Sequence, residues 1–295
     1  MQPKFSIVIP TYNRAAHIAQ TIQSVLTQTT DSFEIIVVDD GSTDNTESIV
    51  RSIADDRLYY YKKENGERGA ARNFGTRKSK AEYVTFLDSD DLWLPGHLDS
   101  AMELIGAKKG IKIFHLGYKI ENAQGKQIKS YEYVPNGDFN RYLLQGNYMS
   151  CMGVFLENSV ANAHPFSENR ALSGSEDWLL WLQLAARYPI AFSTKITGLM
   201  IEHENRSVNN FNEKDLSDRI NILYNALKKD TAFLKFYGKK AAETVKAHMQ
   251  TYAGLHLVMS GKKMQGWWVY LKGVSNRPGE LLKRRTLGLI KQTFK

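Results

Sequence analysis

Three short apolar runs, each ending in a cluster of polar residues, constrain the fold of this chain more than any other feature. The runs cover residues 5–9, 33–38 and 83–87, and the clusters that follow them cover residues 10–14, 39–44 and 88–91. Such runs are typical of strands that are buried on both faces of a parallel sheet. Because the carboxyl ends of parallel strands meet at one edge of a sheet, the pattern predicts that the three polar clusters lie together.

The segments between these runs have helical periodicity. Apolar residues recur at helical spacing in residues 18–26, 49–53 and 98–105, a further strand is predicted at 58–61, and a helix of small residues is predicted at 69–77. This alternation of strands and helices predicts an α/β fold, in which a mostly parallel central sheet is flanked by helices.

The second half of the chain is less regular. The predicted elements are strands at residues 113–120, 127–133 and 147–156 and a helix at residues 176–187. From about Leu216 onward the apolar pattern is helical. We therefore expect an α/β domain at residues 1–205 and a helical, basic C-terminal extension at residues 206–295.

Positive charge is concentrated in the last part of the chain. Residues 261–295 contain nine of the 39 basic residues and one of the 31 acidic residues, which leaves 30 of each in residues 1–260. The net charge of +8 therefore belongs to this segment, in which Trp, Tyr, Leu and Ile are interleaved with Lys and Arg. The composition fits a segment that lies on an anionic membrane surface, and it fits a helix with a solvated basic face equally well. It does not indicate nucleic-acid binding.

Cysteine content and hydropathy suggest a cellular compartment. The single cysteine, Cys151, excludes an internal disulfide and is typical of a reducing environment. The first residues lack an apolar signal core, and no stretch approaches the roughly 18 uninterrupted apolar residues that span a bilayer. These features predict a cytoplasmic protein that is soluble or bound peripherally to the inner face of the cell membrane.

Asp88-Ser89-Asp90 places two carboxylates two residues apart at the end of a predicted strand. In extended backbone they share one face, so both can bind one cation, or one can bind the cation while the other binds a ribose hydroxyl. Repulsion among the carboxylates of the three clusters requires a compensating cation, and Mg²⁺ or Mn²⁺ prefers oxygen ligands and can bridge a diphosphate. The chain lacks a Gly-Lys-Ser/Thr phosphate loop and a Gly-x-Gly-x-x-Gly turn, which argues against nucleotidases and dinucleotide enzymes.

Four segments resemble the motifs of family 2 glycosyltransferases of the GT-A fold, in the order in which that family has them. They are residues 7–14, 37–44, 69–73 and 86–91. The resemblance implies a GT-A fold and transfer of a sugar from a nucleotide-sugar donor. It assigns residues 1–110 to a nucleotide-binding half and residues 111–205 to an acceptor and catalytic half.

The resemblance also implies which residues surround the nucleotide base. Pro10, Thr11, Tyr12 and Asp40 would frame it, and Asp40 would accept a hydrogen bond from a uracil-like imide, which favours UDP. The alternative for Asp40 is a turn that precedes a helix. The neighbouring Asp39 is expected to be structural.

Further residues are expected around the diphosphate and its metal ion. By the resemblance, Arg72 lies near the base or the diphosphate, Asp88 contacts the ribose or the metal ion, and Asp90 is a metal ligand. His203 would contact the metal ion or the diphosphate, although a lone histidine is more often structural. Arg206 would offset the negative charge of the departing diphosphate. The expected cofactor is Mn²⁺ or Mg²⁺.

The catalytic base is expected in residues 173–178. Inverting transfer needs a carboxylate that takes the proton of the acceptor hydroxyl while the anomeric carbon is attacked from the opposite face. The resemblance assigns this role to Asp177 and a helping role to Glu176. Acidic residues are also common in a first helical turn for electrostatic reasons alone.

The sequence thus predicts an inverting, divalent-metal-dependent hexosyl- or N-acetylhexosaminyltransferase. It would move a sugar from a nucleotide-sugar, with UDP favoured, to a glycan or lipid-linked glycan in cell-surface polysaccharide biosynthesis. Two alternatives are a sugar-phosphate nucleotidyltransferase, which needs a glycine-rich basic loop where residues 11–14 stand, and a non-catalytic carbohydrate- or partner-binding module. The oligomeric state is not predicted.

Overall fold

A computed structural model describes residues 2–131, 138–202 and 213–295. The chain divides into two compact units, which are treated separately below. Unit 1 consists of Met1–Phe139, Tyr148–Arg170 and Tyr188–Glu204, and unit 2 consists of Asn140–Asn147, Ala171–Arg187 and Asn205–Lys295. The predicted domain boundary at residue 205 stays a prediction.

Within its described residues, unit 1 has one nine-stranded sheet. The strands are β1 (Phe5–Thr11), β2 (Phe33–Asp39), β3 (Leu58–Lys62), β4 (Tyr83–Phe86), β5 (Leu92–Trp93), β6 (Ile113–Asn122), β7 (Gln127–Tyr131), β8 (Val154–Glu157) and β9 (Ile190–Glu202). Their order is β3-β2-β1-β4-β8-β6-β9-β5, and β7 pairs with β6. The first four strands are mutually parallel, as the sequence predicts, and β8 is antiparallel to both of its neighbours.

Buried apolar faces explain the first half of the sheet. Every residue of β1 and β2 is buried, as expected for strands with helices on both sides. The helices of unit 1 are α1 (Ile18–Leu26), α2 (Thr46–Arg51), α3 (Glu67–Lys78), α4 (His97–Ala107) and α6 (Asn158–Ala163), while α5 (Phe139–Tyr142) crosses into unit 2. Gly75 lets α3 approach β1 closely, because a Cβ atom there would lie 2.3 Å from Val8 Cγ1.

The predicted strand at residues 147–156 is wrong in its first part. A 3₁₀ turn covers Cys151–Gly153, and β8 begins only at Val154. Gly153 sits where a Cβ atom would lie 2.5 Å from the Leu116 carbonyl oxygen, so the chain passes β6 too closely for a regular strand with side chains. The strand β5 and most of β9 were not predicted.

Unit 2 is helical. Its helices are α7 (Glu176–Ala185), α8 (Glu213–Lys229), α9 (Thr231–Tyr237), α10 (Ala241–Met259), α11 (Lys263–Asn276) and α12 (Arg284–Thr293), and 3₁₀ turns cover Leu143–Gln145 and Pro278–Leu282. The predicted helical C-terminal region is therefore present. No helix in the described part of the chain has the combination of length and apolar character that crossing a bilayer requires.

Candidate active site

The carboxyl ends of β2, β1 and β4 lie side by side in unit 1. β1 pairs with β2 until Thr11 stands opposite Asp39, and it pairs with β4 on its other side. The polar clusters at residues 10–14, 39–44 and 88–91 therefore follow adjacent strands, as predicted. We call these three clusters the acidic edge.

Hydrogen bonds fix the loop after β1 to the loop after β2. Asn13 has a left-handed backbone (φ 51°), its N–H donates to Ser42 Oγ at 2.9 Å, and its Oδ1 accepts from the Thr43 N–H at 2.8 Å. Asp39 is buried and accepts from the Ser42 N–H at 2.7 Å and from the Tyr60 hydroxyl at 2.6 Å. Burial and the hydrogen bond to Asp39 raise the pKa of Tyr60. Asp39 thus has the structural role that the sequence suggests.

Asp40 is buried and anchors the loop that leads into α3. Its Oδ1 accepts from Lys63 Nζ at 2.6 Å, and its two carboxylate oxygens accept from the Gly66 N–H at 2.9 and 3.1 Å. The next residue, Glu67, has φ 71°, a conformation that costs a non-glycine residue energy. The carboxylate that is predicted to contact the base therefore also holds this loop in place.

The end of β1 carries a buried hydroxyl group. Pro10 and Thr11 are buried, and Tyr12 is 47% exposed. Thr11 Oγ1 is buried and has no hydrogen-bond partner among the described residues. Leaving a buried hydroxyl without a partner costs about 1–3 kcal/mol, which a ligand that hydrogen-bonds to it would recover.

Arg72 reaches the acidic edge from α3. It is 1% exposed, its Nη2 donates to Asp88 Oδ1 at 2.6 Å, and its guanidinium lies 5.3 Å from the centre of the Phe166 ring. The helix lies close to the chain segment that carries this ring, because a Cβ atom on Gly69 would lie 2.4 Å from the Ser167 carbonyl oxygen. The orientation of Arg72 therefore depends on close packing as well as on the ion pair.

A second guanidinium lies at the same edge. Arg14 Nε is 3.3 Å from Asp90 Oδ2, and this contact pairs a partly exposed arginine with a largely buried carboxylate. Asp91 is buried and accepts from the Ile201 N–H at 3.2 Å, which is a structural use of its carboxylate. The sequence predicts that a metal ion compensates the repulsion among these carboxylates. In the structure, Arg14 and Arg72 offset part of that repulsion.

The acidic edge has a donor set that fits a hard divalent cation. Mg²⁺ usually takes one or two protein carboxylates and completes its shell with water and substrate phosphate, and Asp88 and Asp90 are two such carboxylates. Among the described residues, no group of three or more His, Cys, Asp and Glu side chains is placed to hold a metal ion. The predicted third ligand, His203, and the predicted diphosphate contact, Arg206, lie outside the described residues.

The predicted base lies in unit 2, in the first turn of α7. Asp177 Oδ2 accepts from Asn147 Nδ2 at 2.8 Å, and its Oδ1 accepts from the Trp178 N–H at 2.7 Å. Glu176 is buried, and its Oε2 accepts from the N–H groups of Gly174 and Ser175 at 2.6 and 3.1 Å. Glu176 therefore stabilises the start of the helix, whereas the Asp177 carboxylate is held by a side chain from another segment.

Sequence reasoning gave no role to four residues that contact the predicted ones. Arg14 lies within a recognised motif without an assigned partner, and Lys63, Asn147 and Phe166 belong to no motif. Their partners are 23 to 94 residues away in sequence, so no local spacing could have indicated these contacts.

The sequence model described as Glycosyl transferase family 2 matches residues 6–159, more than half of the chain. The chain is 31% identical over 180 residues to UDP-Glc:alpha-D-GlcNAc-diphosphoundecaprenol beta-1,3-glucosyltransferase WfgD of Escherichia coli, which covers 61% of this chain and 68% of that protein. It is 30% identical over 215 residues, 71% of this chain, to an uncharacterised glycosyltransferase of Rickettsia bellii, but it spans only 30% of that protein.

Solved structures with a similar fold have low sequence identity to this chain. TarS residues 1–349 of S. aureus in complex with UDP-GlcNAc superpose with a TM-score of 0.65 at 18% identity, over 92% of this chain and 89% of that one. The mannosyltransferase PcManGT of Pyrobaculum calidifontis, in complex with GDP-Man and Mn²⁺, gives a TM-score of 0.59 at 17% identity, over 100% and 87% of the two chains. At these identities the likeness shows the fold alone. By its sequence the chain belongs to glycosyltransferase family 2, and by its structure it has the GT-A fold.

Proposed function

We propose that this protein is an inverting glycosyltransferase that uses a nucleotide-sugar, with UDP as the nucleotide, and requires a divalent metal ion. The observation that carries the proposal is the acidic edge, where Asp88 and Asp90 form ion pairs with Arg72 and Arg14. The strand β1, next to β4, ends there in the buried Thr11 hydroxyl, which has no hydrogen-bond partner among the described residues. UDP-GlcNAc in TarS and the UDP-glucose donor named for WfgD support the choice of nucleotide.

The donor nucleotide is assigned to the acidic edge of unit 1. Pro10, Thr11 and Tyr12 would frame the base, and Thr11 Oγ1 would give or accept one hydrogen bond. Asp40 would accept from the base imide, since a carboxylate oxygen can accept more than one hydrogen bond. Its contacts to Lys63 and Gly66 would then hold it in position.

Asp90 and Asp88 are the residues that would hold the cation, with His203 as a third ligand. When bound, Mn²⁺ or Mg²⁺ would neutralise charge on the diphosphate leaving group. The chain's own cations would add to this effect, because Arg14 and Arg72 already lie at the edge and Arg206 is proposed to face the diphosphate. Mn²⁺ in the structure of PcManGT supports the choice of metal.

Asp177 is proposed as the base. The acceptor oxygen would form a bond to the anomeric carbon as the bond from that carbon to the diphosphate breaks, and the hydroxyl proton would pass to a carboxylate oxygen of Asp177. Asn147 would orient this carboxylate through its 2.8 Å hydrogen bond. Glu176 would support the start of α7, which is the helping role that its backbone contacts allow.

The acceptor is proposed to be a glycan or a lipid-linked glycan in the biosynthesis of a cell-surface polysaccharide. The diphosphoundecaprenol-linked acceptor named for WfgD supports this choice. An acceptor of this kind would place the protein at the cytoplasmic face of the membrane.

The test is a donor screen with purified full-length protein and a lipid-diphosphate glycan acceptor, in which released nucleoside diphosphate is measured with Mn²⁺ and with a chelator. We expect release from a UDP-sugar that depends on the metal, and an inverted anomeric configuration of the product by NMR. Asp177→Asn should lower turnover by about 10²–10⁴-fold while nucleotide binding is kept. Asp56→Asn, at an exposed aspartate outside the acidic edge, is the matched control.

Three results would contradict the proposal. Release that persists in the chelator would refute metal dependence. Full turnover by Asp177→Asn would show that Asp177 is not the base. The absence of turnover with every donor, together with retained carbohydrate binding, would favour a non-catalytic module.

A further inference from the structure

Two helices at the end of unit 2 expose large apolar side chains in regular stripes. On α11 the exposed side chains are Met264, Trp268 and Leu271, and at α12 they are Leu287, Ile290 and Phe294. Met264 and Phe294 are 88% and 86% exposed. Both sets have the spacing of one helix face. We call the six residues the outer stripe.

The opposite sides of these helices are packed. Gly266 of α11 lies so close to α10 that a Cβ atom there would be 2.6 Å from the Gly254 carbonyl oxygen. Tyr270 of α11 and Leu289 of α12 are fully buried in one small core with Val258 of α10. The exposure of the outer stripe is therefore not a consequence of loose packing in this part of the protein.

Contacts between α11 and α12 show that they run antiparallel. Trp267 Nε1 donates to Thr293 Oγ1 at 2.9 Å, Lys263 Nζ donates to the Thr293 carbonyl at 2.8 Å, and the Tyr270 and Thr286 hydroxyls are 2.6 Å apart. The early residues of α11 thus meet the end of α12, and a later residue of α11 meets its beginning.

This geometry places both stripes on one side of the helix pair. On α11 the exposed residues 264, 268 and 271 each follow a residue that contacts α12, and on α12 the exposed residues 287, 290 and 294 each follow an inward-facing residue. On each helix, the exposed stripe is therefore rotated about the helix axis by about 100° from the residues that face inward, in the same sense along the chain. In antiparallel helices the same rotation leads to the same side of the pair, so the six side chains form one surface.

Basic side chains border this surface. Lys272 is exposed, and its Nζ lies 4.9 Å from the centre of the Trp268 ring. Lys291 and Arg284 are exposed on α12, one turn or less from Leu287. The segment 261–295 carries nine basic residues and one acidic residue, and that acidic residue, Glu280, is buried. The surface is thus apolar at its centre and positively charged at its border.

We infer that the outer stripe and its basic border dock onto an anionic phospholipid surface, with the axes of α11 and α12 parallel to the membrane plane. An apolar stripe flanked by Lys and Arg on a helix that cannot span the bilayer is the pattern of interfacial helices. A second copy of this chain is disfavoured as the occupant, because a symmetric contact would bring two positively charged borders together. The inference goes beyond the proposed sugar transfer and does not depend on it.

The experiment is flotation of the full chain with two kinds of vesicle. One is phosphatidylcholine alone, and the other contains about one third phosphatidylglycerol, which gives the vesicle a strongly negative surface. We expect binding only to the anionic vesicles and weaker binding as salt is raised. Each Lys or Arg near such a surface contributes about a fivefold change in partition, so Lys272→Glu with Lys291→Glu should lower binding by at least about 25-fold. Trp268→Ser with Leu287→Ser should also lower it, with the charge unchanged.

Matched controls separate the surface from general charge and hydrophobicity. Lys108→Glu with Lys109→Glu changes the net charge equally but in exposed residues of unit 1, and Ile128→Ser removes an equally exposed apolar side chain there. Both controls should bind anionic vesicles like the unaltered protein. Circular dichroism should show that every variant keeps its helices.

Three outcomes would overturn the inference. The unaltered protein could fail to float with anionic vesicles, or the control variants could lose binding as strongly as the variants of the surface. Sedimentation in the absence of lipid could instead reveal an oligomer that Trp268→Ser with Leu287→Ser dissociates, which would assign the surface to a second copy.

Discussion

Two buried histidines should make unit 1 sensitive to mild acid. His97 and His115 lie in its core, and burial lowers the pKa of each to about 3. His97 stacks on Trp93 at 4.1 Å, its Nδ1 is 2.9 Å from Thr197 Oγ1, and its Nε2 is buried without a hydrogen-bond partner among the described residues. A proton added to this ring would therefore create a buried positive charge for which no carboxylate among the described residues compensates.

The sign and size of the effect follow from the two pKa values. The folded-state pKa lies below the unfolded value of about 6.5, so the unfolded chain binds more protons in acid and the free energy of unfolding falls as pH falls. The contribution of each neutral, buried histidine to the free energy of unfolding is complete above pH 6.5 and is lost progressively between pH 6.5 and about 3. At pH 5 the loss is about 2 kcal/mol for each histidine. This figure depends little on the folded value, because the folded histidine is still neutral at that pH.

The assay is urea unfolding of unaltered protein and of His97→Phe at pH 7.5 and pH 5.0. The substitution changes stability at both pH values, since the hydrogen bond with Thr197 is lost. However, it should reduce the loss between the two pH values by about 2 kcal/mol. If the unaltered protein and His97→Phe lost equal free energy of unfolding between pH 7.5 and pH 5.0, the reasoning would be refuted. Equal losses would show that His97 is protonated to the same extent in the folded and the unfolded chain.

Three further predictions concern the packing and chemistry of the proposed site. Gly75→Ala should destabilise the protein by about 1–3 kcal/mol in urea unfolding, because its Cβ atom would lie 2.3 Å from a valine methyl group. Its control is Gly106→Ala, where a Cβ atom would meet nothing within 4 Å, and this substitution should stabilise the helix by up to about 1 kcal/mol. Asn147→Ala should lower kcat several-fold and leave KM for the donor unchanged, since it removes the 2.8 Å hydrogen bond to the proposed base; an equal rise in KM would count against this role. Asp90→Asn should weaken Mn²⁺ binding, measured by the EPR signal of free Mn²⁺, more than Asp88→Asn does.

The parallel half of the sheet could be predicted because local sequence determines it. The runs that become β1, β2 and β4 are mostly apolar and are buried at every position, and each is followed by polar residues. The second half of the sheet, in which antiparallel pairs are more frequent, could be predicted only in part, since β6 and β7 follow from the sequence but β5 and most of β9 do not. β5 has only two residues and is a strand only because it pairs with β9, whose middle residues are partly exposed and polar.

The same distinction applies to the candidate site. The residues of the acidic edge could be predicted because they follow strands in sequence. The partners of these residues could not, because Arg14 meets Asp90 across 76 residues, and Phe166 reaches Arg72 from a loop without a sequence pattern. Long-range contacts of this kind depend on how the elements pack, and periodicity and spacing carry no information about that packing.

The two ion pairs suggest how the two carboxylates of the acidic edge divide their roles. Asp88 is bound at 2.6 Å by Arg72, whose side chain is 2% exposed and lies over the Phe166 ring, so drawing this carboxylate away would break an ion pair to a buried cation. Asp90 makes a longer contact, at 3.3 Å, to Arg14, whose side chain is 22% exposed and can turn toward solvent or toward a phosphate at little cost. A cation would therefore displace the partner of Asp90 more easily than the partner of Asp88. This difference supports the proposal that Asp90 is the stronger of the two metal ligands, and that Asp88, held by Arg72, can also receive a ribose hydroxyl.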